Sequence, residues 1–264
     1  MFKTRLLSGI LLVCAALLTI ISGGYVLLFT LLSISVIGMN ELYRAMKVRE
    51  ENISALEIAG YMGAALYYGA AMADFEKFGA MAIIAALVLI MCVYVFSYPR
   101  FTANQMMAAY FGFIYVAVML SFVLLTRNLP DGKFLVWLVF LCSWGCDTCA
   151  YCVGMLIGKH KMSPLLSPKK SVEGAVGGVL GAGLLGGIYA AATGGEAAEY
   201  ALICAAGALI SMVGDLAASG IKRNQGIKDY GKLIPGHGGI LDRFDSVIFT
   251  APVIYYLAKL VLGI

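Results

Sequence analysis

The segment 219–245, SGIKRNQGIKDYGKLIPGHGGILDRFD, is the densest concentration of ionisable residues in the chain. It holds Lys222, Arg223, Lys228, Lys232 and Arg243 together with His237, Asp229, Asp242 and Asp245. Pro235 with Gly231, Gly236, Gly238 and Gly239 prevents a continuous helix through its middle. A glycine-rich backbone beside several cations suits phosphate, because bare N–H groups can approach the oxygens closely. The run then enters the last apolar helix. There Asp242 and Asp245, three residues apart, share a face and can both reach a hard cation such as Mg²⁺. A solvated basic loop drawn to anionic lipid would account for the Lys and Arg residues. It would not account for the Asp pair, the histidine or the glycines.

Two further carboxylates sit inside apolar runs. Asp147 lies 11 residues before Gly158, and Asp215 lies one helical turn before Ser219. An intramembrane carboxylate is a functional-site candidate, the alternative being a group satisfied by polar neighbours for helix packing. After Asp147 the chain reads Ala150-Tyr151, Gly154, Gly158-Lys159, then Ser167-Pro168-Lys169-Lys170-Ser171 and Glu173-Gly174. Serine, two lysines and a turn-setting proline could hold a triphosphate or a lipid phosphate; the lysine pair alone also fits a membrane-surface anchor.

Composition dictates what must hold these residues. Of 264 residues, 61% are hydrophobic and 13% charged, against about 25% charged in a water-soluble domain. Too little polar surface remains to cover a globule in water. A soluble enzyme or secreted domain is excluded, and an all-α polytopic membrane protein is expected. Apolar runs fall at about 6–22, 24–40, 54–73, 78–98, 105–125, 133–157, 175–193, 198–218 and 246–263, about nine transmembrane helices. The first two, separated by Ser22-Gly23-Gly24, read as a tight hairpin or as one long bent helix. Lys3 and Arg5 resemble the start of a signal peptide, but no A-x-A site follows.

With a cytoplasmic N-terminus, Lys77, Arg127 and Lys133 fall outside and Lys259 lies near the C-terminus; the other fifteen of the 19 Lys and Arg fall inside. That bias supports the sidedness and puts loops 158–174 and 219–245 on the cytoplasmic face. The reading divides the chain into residues 1–125, about five scaffold spans with candidate dimer contacts, and residues 126–264, whose two loops form the catalytic site. The net charge of +4 is small and gives no ground for a nucleic-acid partner.

Two patterns are set aside on context. Gly181-Ala182-Gly183-Leu184-Leu185-Gly186 spells G-x-G-x-x-G, but no strand precedes it. Gly178, Ala182 and Gly186 instead mark a close helix–helix contact, within the chain or across a homodimer. Cys142, Cys146 and Cys149 form one helical stripe, better suited to packing than to metal.

The 219–245 run resembles the signature of the phosphatidate cytidylyltransferases (CDP-diacylglycerol synthases). Ser219, Lys222, Arg223, Lys228, Asp229, Gly231, Pro235, His237, Gly238, Gly239, Asp242, Arg243 and Asp245 all fall on its fixed positions. Asp147, Ala150-Tyr151, Gly154, Gly158-Lys159, Ser167-Pro168-Lys169-Lys170 and Gly214-Asp215 also resemble the family. More loosely, so do Arg5, Ser8-Gly9, Gly23-Gly24 and Glu41. Ser171 departs from it, standing where threonine is more usual, and Cys149 and Cys152 are not features of the family.

The resemblance implies the reaction CTP + phosphatidate → CDP-diacylglycerol + pyrophosphate, a step of phospholipid biosynthesis. It implies Mg²⁺, with a second cation of unknown identity, on Asp147, Asp215, Asp242 and Asp245. Lys222, Arg223, Lys228, Asp229, His237 and Arg243 are the expected catalytic residues, His237 donating a hydrogen bond to a phosphate oxygen. Ser167, Lys169, Lys170, Ser219, Gly238 and Gly239 are the expected substrate-binding ones. The enzyme would sit in the cell inner (cytoplasmic) membrane with its site facing the cytoplasm. A transporter would want charges midway through the membrane and two similar halves. A CDP-alcohol phosphotransferase would carry D-G-x2-A-R-x8-G-x3-D-x3-D, which is absent.

Overall fold

The computed structural model describes residues 2–49, 52–236 and 238–264, with side chains from residue 9 onward. His237 and the side chains of Lys3, Arg5 and Ser8 lie outside the described residues. Helix α1 (Phe2–Ser22) is followed by α2 (Gly24–Ala45) and α3 (Ala55–Phe96). Helices α4 (Ala103–Gly112) and α5 (Met119–Arg127) form one apolar rod through a π-helical stretch, Phe113–Val118. In the same way α6 (Gly132–Phe140) and α7 (Cys146–Ile157) join through Leu141–Gly145. A short antiparallel pair, β1 (Lys161–Ser163) and β2 (Ser167–Ser171), precedes α8 (Val172–Thr193), α9 (Ala197–Asn224) and α10 (Leu241–Leu262). Among the described residues seven helices are long and apolar enough to cross a bilayer, and a shorter apolar stretch, Gly9–Ser22, precedes them. The protein is an all-α, multi-pass membrane protein.

Helix α3 has 42 residues, which at 1.5 Å each would be about twice the ~30 Å of a hydrocarbon core. It does not run straight. Asp74, at φ −167° and ψ 99°, interrupts it, and a Cβ on Gly63 would lie 2.8 Å from Ala86 Cβ. The two halves on either side of Asp74 thus fold back on each other as a helical hairpin. Asp74 Oδ1 caps the second half, accepting from Lys77 N at 3.1 Å. These halves are the spans expected at 54–73 and 78–98. Between α1 and α2 the chain breaks at Gly23, φ 62° and ψ −156°, a conformation open to glycine at no steric cost.

The chain divides into two compact units, Met1–Leu124 with Gln225–Arg243, and Leu125–Asn224 with Phe244–Ile264. In the first, the buried Tyr43 hydroxyl donates to Ala109 O at 2.7 Å. A Cβ on Gly60 would lie 2.3 Å from its hydroxyl and one on Gly112 2.4 Å from its ring. Glycine at both positions lets α2, α3 and α4 close on the ring. Glu57, fully buried, completes a capping box with Ser54 and accepts three bonds from Arg49, the shortest 2.7 Å, so its charge is paired.

The second unit packs glycine against thiol. A Cβ on Gly178 would meet Cys146 Sγ at 2.9 Å, one on Gly181 Cys149 Sγ at 2.6 Å, and one on Gly186 Cys204 Sγ at 2.8 Å. Gly207 stands 2.8 Å from Cys142 Sγ on the same measure. In lipid, helices associate through close packing rather than a hydrophobic drive, so small residues at the seam matter. The cysteine stripe fills glycine notches, and Gly178, Ala182 and Gly186 are taken up within the chain.

Gly63→Val should lower stability by about 1–3 kcal/mol, since the added methyls have no room against Ala86. Gly69→Val, in the same helix with nothing within 4 Å, should not. Thermal unfolding in detergent decides; equal midpoints for the two variants would show that the hairpin is not packed through Gly63.

Candidate active site

In the second unit the site is organised by Ser171. It ends β2 and caps α8, its Oγ accepting from Gly174 N at 3.1 Å. A Cβ on Gly154, Gly158 or Gly174 would sit 3.1, 2.6 or 2.9 Å from that Oγ, which explains glycine at all three. Glu173, in the first turn of α8, accepts from Lys159 N at 3.0 Å and His160 N at 3.2 Å, and lies 2.5 Å from His160 Nδ1. A carboxylate at a helix N-terminus is favoured by the macrodipole, and here it pins the loop leaving α7. The β hairpin pairs Lys161 with Ser171 and Ser163 with Ser167. Sequence reading gave only a loop here, because strands of three and five residues carry almost no periodicity.

A cavity of about 580 Å³ opens between α7, the β1–β2 hairpin, α8 and α9, within the range of small-molecule sites. Asp147, Tyr151, Lys169, Lys170, Ser171 and Asp215 bring its polar groups, and Met155, Met162 and Met212 an apolar wall. Lys170 Nζ forms an ion pair with Asp215. Asp245, buried on α10, lies in the field of Asp215, Lys222 and Asp147. Gly214 makes that approach possible: a Cβ there would stand 3.0 Å from Asp245 O and 2.9 Å from Phe249 Cβ. Three neighbouring carboxylates repel one another, and the nearby Lys170 and Lys222 offset part of that. Lys222 and Arg223 occupy the last turn of α9, where the helix dipole favours cations.

The first unit holds the glycine-rich loop. Ile234 N donates to Gly238 O at 2.9 Å, closing a tight turn through Gly236 at φ 78° and Gly238 at φ 88°. Asp242 Oδ2 accepts from Tyr230 N at 2.8 Å and Gly239 N at 2.9 Å. Glu41, on α2, takes Ile240 N on Oε1 at 3.1 Å and Leu241 N on Oε2 at 2.8 Å. A Cβ on Gly238 would lie 2.9 Å from Asp242 Oδ2, and Cβ atoms on Gly231 and Gly239 would lie 2.2 and 2.4 Å from the Glu41 oxygens. Two carboxylates, not chain flexibility alone, require these glycines. Arg243 Nε is buried with no hydrogen-bond partner among the described residues.

The structure therefore gathers Asp147, Lys169, Lys170 and Asp215 around one cavity, with Asp245 and Lys222 within electrostatic reach. It sets Asp229, Gly238 and Gly239 in one loop, beside Asp242 in the first turn of α10. Arg223, Lys228 and Asp229 are exposed, Ser167 begins β2 without lining the cavity, and Ser219 follows Asp215 by one turn of α9. Sequence reading did not include Glu41 among the site residues. Its signal was a lone carboxylate near the end of an apolar span, but its partners lie about 200 positions away.

The model of the Cytidylyltransferase family matches residues 3–261. The chain belongs to that family. Membership makes it a CTP-dependent nucleotidyltransferase. It is similar to proteins named phosphatidate cytidylyltransferase. The one from Staphylococcus saprophyticus is 30% identical over 258 residues, 97% of this chain and 98% of that one. The one from Staphylococcus aureus is 30% identical over 257 residues, with the same coverage. A match to the Synechocystis protein is 45% identical over 141 residues, 52% of this chain and 47% of the relative.

Gly238→Ala should lower CTP-dependent turnover by at least about tenfold, because the methyl displaces Asp242 as well as straining a left-handed backbone. Gly226→Ala shares the positive φ, 66°, but meets nothing within 4 Å. It should keep turnover within about threefold. Similar losses in both variants would assign the effect to backbone strain alone.

Proposed function

We propose that the protein joins CTP to phosphatidate, releasing pyrophosphate and forming CDP-diacylglycerol in phospholipid biosynthesis. The observation that carries this reading is the cavity where Lys169, Lys170 and Ser171 face Asp147 and Asp215 in an otherwise apolar, membrane-spanning unit. Cations and hydroxyls suit phosphate oxygens, and the surrounding apolar helices suit a substrate with acyl chains. The phosphate of phosphatidate is ionised near neutral pH, so attack on the α-phosphorus of CTP needs no general base. Its oxygen forms the new P–O bond as the bond to pyrophosphate breaks. What the protein must supply is positioning and neutralisation of two polyanions.

Mg²⁺ fits the donor set. Hard carboxylate oxygens on Asp215 and Asp245, with Asp147 in the same field and Asp242 one turn from Asp245 on α10, suit that ion. Among the described residues no three His, Cys, Asp or Glu side chains gather tightly enough to hold a metal by themselves. Mg²⁺ is commonly held by one or two carboxylates together with substrate phosphates. When bound, the cation would offset charge on the triphosphate; a second, unidentified cation would do the same. Lys170 exchanges Asp215 for a phosphate oxygen as substrate enters, and Lys169 and Ser171, which line the same cavity, hold that group. Lys222, Arg223, Lys228 and Arg243 neutralise the remaining phosphate charge, and the buried Arg243 Nε–H is suited to donate to a phosphate oxygen. Ser219, Asp229, Gly238 and Gly239 shape the phosphate cradle, and His237 donates a hydrogen bond to a phosphate oxygen.

Residues 126–264 carry this chemistry and residues 1–125 act chiefly as scaffold, with about nine crossings in all. The Lys and Arg bias supports a site facing the cytoplasm from the cell inner membrane. A homodimer would use faces other than the Gly178–Gly186 stripe, which is filled within the chain.

Purified protein in detergent with Mg²⁺, CTP and phosphatidate should yield CDP-diacylglycerol and pyrophosphate in equal amounts, and a chelator should stop it. No product from folded protein at any Mg²⁺ concentration would sink the proposal. Asp215→Asn and Asp245→Asn should each lower kcat by at least about a hundredfold. Sidedness is checked separately: single cysteines introduced at 226 and 232 should react with an impermeant thiol reagent only from the cytoplasmic side.

A further inference from the structure

Glu41 lies on α2, far in sequence from the signature run, yet its carboxylate receives the head of α10. It is 2% exposed, and each oxygen accepts one backbone N–H, from Ile240 and Leu241. A helix leaves its first N–H groups without intrahelical partners, and negative charge is favoured there. Charge-assisted bonds of this kind are short and directional. The fit is close enough that Gly231 and Gly239 have no room for a Cβ beside the Glu41 oxygens. Glu41 therefore fixes the peptide units from Gly239 to Leu241, immediately before Asp242. Asp242 is in turn tied back to Gly239 N and Tyr230 N. Another buried acid of this unit, Glu57, is taken up by Arg49, Ser54 and Tyr61, as an anchor of the α2–α3 connection.

We infer that Glu41 is a positioning residue for the transfer reaction, seating the first turn of α10 so that Asp242 is held where the cation assigned to it would bind. This inference rests on the function proposed above. Glutamine at position 41 keeps one acceptor but turns an NH₂ group toward a backbone donor. Aspartate keeps the charge but is one methylene too short to serve both N–H groups.

Full-length protein in detergent is compared as wild type, Glu41→Gln, Glu41→Asp and Glu57→Gln. In Glu41→Gln, kcat should fall at least about tenfold and the Mg²⁺ concentration for half-maximal rate should rise at least about threefold. Glu41→Asp should recover part of both. Glu57→Gln should lower the unfolding temperature while leaving kcat per folded enzyme and the Mg²⁺ dependence at wild-type values. Amide exchange of Ile240 and Leu241, followed without substrate, should be slow in wild type and at least about tenfold faster in Glu41→Gln. A folded Glu41→Gln with wild-type kcat and Mg²⁺ dependence overturns the inference. So does a Glu57→Gln variant that moves the Mg²⁺ dependence equally. If neither Glu41 variant folds, wild-type exchange decides: amides at 240 and 241 as free as that of Gly226 overturn it, and protected ones uphold it. Wild-type protein that makes no CDP-diacylglycerol condemns the proposed reaction, whereas an active wild type with an indifferent Glu41→Gln condemns only this inference.

Discussion

A carboxylate buried in a lipid-embedded protein persists only where cations or backbone N–H groups take up its charge. This chain uses both means. Glu57 is taken up by a guanidinium and a helix cap, the partly buried Asp215 by Lys170, and Glu41 and Asp242 by backbone N–H groups around the start of α10. The N–H solution has a particular consequence. It lets the protein keep acidic groups in place without committing a lysine or arginine to each, and so leaves cations available to anionic substrates.

Glycine is the complement of that arrangement. At Gly231, Gly238 and Gly239 it clears space for carboxylate oxygens, at Gly154, Gly158 and Gly174 for the Ser171 hydroxyl, and at Gly178, Gly181 and Gly186 for thiols. Only Gly238 among these also needs a left-handed backbone. Most of the glycines near the site are thus explained by what lies beside them rather than by turn geometry. That distinction separates positions where alanine costs strain from positions where it displaces a functional atom.

The fold was largely legible because low charge and long apolar runs leave few alternatives to a helical membrane protein. Even the hairpin at Asp74 could be read, since a polar break divides two runs of spanning length. The candidate residues of 147–170 and 215–245 were legible for a related reason: charges are rare here, so each is conspicuous. What could not be read was pairing across the chain. Nothing near Glu41 in sequence announces that its partners are the N–H groups of Ile240 and Leu241. The β1–β2 hairpin was equally hidden, being too short to show a period of two. Nor could spacing show that Gly214 exists to bring the α9 and α10 backbones together beside Asp215 and Asp245.

The methionines of the cavity wall bear on its chemistry as well as on its fit. Met155, Met162 and Met212 line the same space as Lys169, Lys170 and Asp215. Thioethers adapt to ligands of varied shape, a property suited to lipid tails that differ in length and unsaturation. They are also oxidised to sulfoxides, which are polar, chiral and larger. Oxidation there would put new dipoles against the Lys170–Asp215 pair.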